Sequence, residues 1–110
     1  MTKLAKKKCV PCEGGVEPLN LDRAQELLKE LHSDWMLIDQ CRMLARSFVL
    51  KDFVQALALT NKIGAIAEAE QHHPDLTLGY GSLGVELTTH AIGGLSENDF
   101  IVAAKIDEIK

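Results

Sequence analysis

The sequence has no long hydrophobic run, no sustained basic face, no internal repeat and only three cysteines. No apolar stretch approaches the roughly 18 residues that a membrane-spanning helix needs. The lysine-rich N-terminus, "MTKLAKKKCVPCEGG", is not followed by an apolar segment of the kind a secretory signal carries, so the expected location is the cytoplasm. Net charge is −4. Residues 1–19 contribute four lysines against Glu13 and Glu17, which leaves the remainder of the chain clearly acidic. An acidic body with one short basic tail argues against a nucleic-acid surface, which needs a continuous basic face.

The cysteines are equally restrictive. Three thiols cannot all pair within one chain, and the Cys9-x-x-Cys12 pair has no second Cys or His pair downstream at zinc-ligand spacing. The surrounding "CVPCEGG" reads as turn, not as the strand-to-helix junction that a thioredoxin-like centre requires. With Pro11, Gly14, Gly15 and Pro18, it marks residues 1–19 as an irregular arm, expected to be solvated.

What is present is the pattern of one compact domain over residues 20–110. Asn20 can cap a helix through Leu31 whose apolar positions Leu21, Ala24, Leu27, Leu28 and Leu31 recur at helical spacing. Residues 35–39, "WMLID", and 42–50, "RMLARSFVL", read as strands joined by a hairpin at Asp39, Gln40 and Cys41. Asp52 can cap a long helix over about residues 53–71 with Phe53, Ala56, Leu57, Thr60, Ile63, Gly64 and Ala67 as its packing stripe. Pro74 disfavours helical geometry at His73 and so ends that helix near His72. Residues 76–80 and 84–89 read as a second hairpin around "GSL", with Val85, Leu87 and Thr89 facing opposite to Glu86, Thr88 and His90. Ser96 and Asp99 match a capping box for the last helix, with Leu95 and Phe100 at the staple positions. The order α-β-β-α-β-β-α predicts an α+β fold, an antiparallel sheet with three helices on one face.

His72 and His73 stand side by side before Pro74, and His90 borders the same hairpin. Imidazoles are common metal ligands, and Glu68 and Glu70 could support them, but adjacent ligands tend to point apart. Two imidazoles in one cleft can equally hold opposite protonation states near neutral pH and pass protons without a metal. A helix C-terminus before His72 favours positive charge there. Spacing alone leaves both readings open. His32, at the end of the first helix, reads as structural or exposed.

A longer pattern goes further. Glu68, then "HHP" at 72–74, Tyr80, His90 and Asp99, at intervals of three, five, nine and eight residues, resembles the signature of the pterin-4a-carbinolamine dehydratases. "SFVLKDF" upstream and "THAIGGLSENDFIVAAKID" downstream resemble the same family, so that the likeness covers about residues 19–110. The resemblance implies a subunit with a four-stranded antiparallel sheet and three helices on one face, self-associating as dimers or tetramers. It implies dehydration of 4a-hydroxytetrahydropterin, the product of aromatic amino acid hydroxylases, to quinonoid dihydropterin, with no metal and no organic cofactor. Some relatives instead serve as dimerisation cofactors of a transcription factor or in enzyme assembly.

Carried onto this chain, the resemblance implies that His72 and His90 transfer protons and that His73 positions the pterin. Glu68, one turn before His72, is expected to hydrogen-bond its imidazole. Thr89 is expected to offer backbone groups to the substrate ring. Asp99 reads as a helix cap, and Tyr80 and Phe48 read as core. Many members carry tryptophan two residues after the proline, where this chain has Leu76.

Overall fold

The structure, a computed structural model, describes residues 4–9 and 17–109. Its elements run α1 (Leu21–Leu28), β1 (Met36–Ile38), β2 (Met43–Val49), α2 (Phe53–Glu70), β3 (Asp75–Gly79), β4 (Ser82–Leu87) and α3 (Glu97–Asp107), with short 3-10 turns at Leu4–Lys6 and His90–Ile92. The α+β order expected from the sequence is the order observed. All pairings are antiparallel, and the strand order is β1-β2-β4-β3.

Register explains which face is buried. Leu44 pairs with Leu87, Arg46 with Val85, and Phe48 with Leu83, while Leu76 and Leu78 of β3 pair with Val85 and Leu83. Residues directly opposite share a face, so these side chains, apart from Arg46, which pairs with Asp107, form one apolar surface. Ala24 and Leu27 of α1, Ile63 of α2, and Phe100, Ile101, Ala104 and Ile106 of α3 cover it. The other face carries Asp75, Thr77, Ser82, Gly84 and Glu86, short or polar residues suited to solvent.

The helix boundaries follow local chemistry. Asn20 and Asp52 accept hydrogen bonds from Arg23 N and Gln55 N at 2.8 and 2.9 Å, which starts α1 and α2 at the expected places. Ser96 N donates to Asp99 Oδ2 at 3.0 Å, and the capping box at α3 is formed. Helix α2 stops at Gln71, which takes a left-handed conformation (φ 54°, ψ 38°), and His72 N reaches back to Ala67 O at 3.2 Å. This closes the last turn and steers the chain out of the helix before Pro74.

Several expectations are corrected. The solvated arm is instead docked at residues 4–9: Leu4 is only 2 % exposed and joins the core, and Lys105 Nζ donates to Ala5 O at 2.8 Å. Burying one leucine contributes about 2 kcal/mol, while Lys6, Lys7 and Lys8 beside it stay exposed. Cys9 follows on this segment, whereas Cys12 lies outside the described residues. The second hairpin turns at Tyr80-Gly81 rather than "GSL", because Gly81 supplies the positive φ (69°) of a two-residue turn. Tyr80 is therefore 78 % exposed and not part of the core. Phe53 and Leu57 are exposed as well; of the predicted α2 stripe, Ala56, Ile63 and Ala67 are buried.

Candidate active site

The end of α2 and the end of β4 meet, and there the three histidines of the sequence pattern come together. Gln71, His72, His73, Thr88, Thr89, His90 and Ala91 line a single shallow cleft of about 300 Å³. Each histidine is held differently. His72, whose side chain is 13 % exposed, places Nε2 2.6 Å from Oδ1 of Asp99. Asp99 is fully buried and also accepts from Thr89 Oγ1 at 2.8 Å and Ser96 N at 3.0 Å. Its carboxylate lies in the first turn of α3, where the helix N-terminus favours negative charge. The carboxylate thus fixes the orientation of the His72 ring, with Nε2 turned toward Asp99.

His73 Nε2 pairs with Glu68 Oε2 at the exposed rim. The expected Glu68–His72 bond is thus replaced by two others. The i,i+4 relationship holds only while the chain stays helical, and the left-handed Gln71 takes His72 off that face. His90 opens the 3-10 turn at His90–Ile92, which Gly93 closes in a left-handed conformation (φ 70°). Its imidazole is exposed and makes no hydrogen bond among the described residues.

Thr89 is bonded within the protein at every polar group. Its N–H donates to Gly94 O at 2.9 Å, and its carbonyl accepts from Ile92 N and Gly94 N at 3.1 and 3.4 Å. Its hydroxyl is shared between Ser96 Oγ and Asp99 Oδ2, both at 2.8 Å. Its backbone is engaged within the protein, and its side chain reaches the His72 partner Asp99. Sequence reasoning assigned Asp99 a cap alone; it is both a cap and the partner of His72. Leu76, the residue in place of an aromatic, faces the core opposite Val85.

A larger hollow of about 540 Å³ lies between β2, α2 and α3, with Arg46, Phe48 and Asp107 among its walls. Size alone would favour it. Its polar groups, however, serve the fold: Asp107 accepts from Trp35 Nε1, Arg46 Nη1 and His32 N at 2.7, 2.7 and 2.9 Å. The three histidines line the smaller cleft instead. Among the described residues no group of three or more His, Cys, Asp or Glu side chains is arranged to hold a metal, and no helix is long and apolar enough to cross a membrane.

The model of the family described as pterin 4 alpha carbinolamine dehydratase matches residues 17–109. The chain belongs to this family. A relative from Nitrosomonas eutropha that bears the family's name is 51% identical over 104 residues, 94% of this chain and 90% of its own. One from Rickettsia canadensis is 50% identical over 107 residues, 97% of each chain. Among solved structures, a transcriptional coactivator/pterin dehydratase from Brucella melitensis superposes with TM-score 0.76 at 31% identity, over 82% of this chain and 95% of that one. A pterin dehydratase-like protein identified as a RuBisCO assembly factor shares the fold, with TM-score 0.59 at 22% identity over 69% of this chain and 88% of that one.

Proposed function

We propose that the protein is a cytoplasmic dehydratase that removes water from 4a-hydroxytetrahydropterin to give quinonoid dihydropterin, using histidines and no metal or organic cofactor. The observation that carries this reading is the buried Asp99–His72 pair beside the free imidazole of His90 in one cleft. The substrate bears a hydroxyl on C4a and a proton on the adjacent N5. His72 gives a proton to the departing hydroxyl, the C4a–O bond breaks and water leaves. His90 takes the N5 proton, and the electron pair of that bond forms C4a=N5. One proton is given and one taken, so the reaction is balanced. Asp99 suits His72 to the acid role because its carboxylate compensates the doubly protonated ring. His90, without a carboxylate partner, suits the neutral, accepting role. His73, oriented by Glu68, hydrogen-bonds the pterin at the rim.

Such an enzyme would act downstream of an aromatic amino acid hydroxylase. The test generates the 4a-carbinolamine enzymatically and follows its dehydration with wild type, His72→Ala and His90→Ala. Proton transfer by a positioned side chain contributes on the order of 10²–10⁴-fold, so each variant should lose about that much. No acceleration by the wild type, or unchanged rates in both variants, would defeat the proposal.

A second reading rests on a different observation. Phe53, Val54 and Leu57 leave apolar surface exposed along the first turns of α2. This supports self-association as a dimer or tetramer, and it would also suit a non-enzymatic assembly role. A stable co-purifying protein partner together with no dehydratase activity would favour that alternative.

A further inference from the structure

The His72–Asp99 pair joins two helix ends, and a third segment holds those ends together. Glu70, the last residue of α2, has a side chain only 8 % exposed. Its Oε1 accepts from Cys9 N at 2.9 Å, and its Oε2 lies 3.7 Å from Lys105 Nζ of α3. Cys9 Sγ in turn donates to Asn98 O at 3.6 Å, next to Asp99. We infer that Glu70 is a positioning residue: held by the Cys9 N–H, it fixes the end of α2 against the start of α3 and so keeps His72 within reach of Asp99. The rate effect this predicts rests on the dehydratase reading, whereas the geometry does not.

The place of Glu70 has no local explanation. The dipole at a helix C-terminus disfavours a carboxylate. A carboxylate so deeply covered also needs partners to replace water. The N-terminal segment and Lys105 supply them, so the end of α2 is held by tertiary contacts. His72 lies two residues further on, beyond the left-handed Gln71. A hydrogen bond of 2.6 Å weakens steeply as its partners separate or turn, so the pair depends on where α2 ends.

The segment that holds Glu70 is anchored elsewhere too. Leu4 and Ala5 are buried, Lys105 Nζ donates to Ala5 O at 2.8 Å, and Lys7 Nζ reaches Glu97 Oε1 at 3.2 Å. Residues 4–9 thus bond to α3 at Lys105, Glu97 and Asn98, and to α2 at Glu70. They form a brace across the two helices that carry the pair. Burial first, then Glu70 and then Asp99 raise the Cys9 thiol to about 12, so Cys9 lies within electrostatic reach of both carboxylates. Its contribution to the brace comes through the backbone N–H.

The experiment compares the full-length wild type with Glu70→Ala, Glu70→Gln and Leu4→Ser, and with Trp35→Phe as a control. Trp35 Nε1 donates to Asp107 at 2.7 Å, at the far end of α3, so its loss softens the fold away from the cleft. Each protein is examined for carbinolamine turnover, for melting temperature and for the carbon–proton NMR signals of the His72 ring, assigned by their absence in His72→Gln. Glu70→Ala should lower kcat about tenfold with KM changed less than about twofold, short of the roughly 10²-fold cost of a full ångström of misplacement. Glu70→Gln keeps an oxygen for the Cys9 N–H and should retain most of kcat. Leu4→Ser releases the segment from its other end and should shift the His72 signals as Glu70→Ala does; it carries the test where Glu70→Ala does not fold. Trp35→Phe should lower the melting temperature and leave kcat and the His72 signals as in wild type.

Unmoved His72 signals in Glu70→Ala and Leu4→Ser, an equal loss of kcat in Trp35→Phe, or no recovery in Glu70→Gln overturns the inference. Shifted His72 signals without any turnover by the wild type support the brace and refute the dehydratase reading; turnover with unmoved signals does the reverse.

Discussion

The Nε2 of His72 and the Oδ1 of Asp99 lie 2.6 Å apart, across 27 residues of sequence, and the carboxylate is sealed from solvent. One side chain therefore caps α3, accepts from Thr89 and orients the imidazole proposed as the acid. Asp99→Asn keeps the shape and removes the charge. Turnover should fall by about 10²-fold, within the range that acid–base groups contribute. Stability should fall by only about 1–2 kcal/mol, the scale of a weakened cap and buried hydrogen bond. A melting curve together with steady-state rates separates the two effects; an unchanged kcat would remove Asp99 from the mechanism.

The docked N-terminal segment makes stability depend on acid. Glu70 accepts from Cys9 N at 2.9 Å and faces Lys105 Nζ at 3.7 Å. The Cys9 N–H first, then Lys105 and Lys8, outweigh partial burial and hold its carboxyl below the ordinary value of 4.5. A depressed folded-state pKa contributes stability above the unfolded value, and this is lost as pH falls through the folded one. Glu70→Gln should therefore be less stable than wild type at pH 7. The gap should narrow as pH drops below 4.5 in paired denaturant titrations. A pH-independent gap would contradict the assignment.

Cys9 should be nearly inert. Burial, followed by the nearby Glu70 carboxylate, pushes its thiol from 9.0 up to about 12. At pH 8 the thiolate fraction then falls by about 10³-fold, and alkylation slows in proportion. Peptide mapping after timed treatment with iodoacetamide should show Cys9 protected in the native protein and labelled after denaturation. Rapid native labelling would show that the segment is not docked.

Gly94 is a packing glycine. A Cβ there would lie 2.8 Å from Pro18 Cβ and 3.1 Å from Pro18 Cγ. Gly94 also forms the bridge that holds Thr89. Gly94→Ala should cost about 1–3 kcal/mol, as overpacking does, and should lower activity by disturbing the Thr89–Asp99 contact. Gly64→Ala meets nothing within 4 Å and sits inside α2, so it should hold or raise the melting temperature. Equal melting temperatures for the two variants would contradict the packing argument.

Much of this molecule is written locally. Asn20, Asp52 and Ser96 start helices through bonds to residues three positions away, and Pro74 forbids α2 to continue, so these boundaries could be read directly. The alternation of Val85 and Leu87 with Glu86 likewise separated the two faces of β4, and Val85 and Leu87 are the buried ones. The histidine pattern, read by resemblance, named the residues that line the cleft. Where local rules were extended one residue too far, they failed. The i,i+4 rule paired Glu68 with His72 because it took no account of Gln71, whose left-handed turn hands Glu68 to His73. The basic composition of the arm hid Leu4, a single apolar side chain whose burial depends on a groove made by distant residues.

The sequence by itself determined the order of elements and their caps, because each depends on neighbours within a few residues, and its resemblance to a known family singled out the three histidines. Only the tertiary structure decided that β4 lies between β2 and β3, that Asp99 rather than Glu68 holds His72, and that Cys9 bonds to Glu70. Those relationships join groups separated by tens of residues, and they exist only once the shared apolar surface of sheet and helices has brought them together.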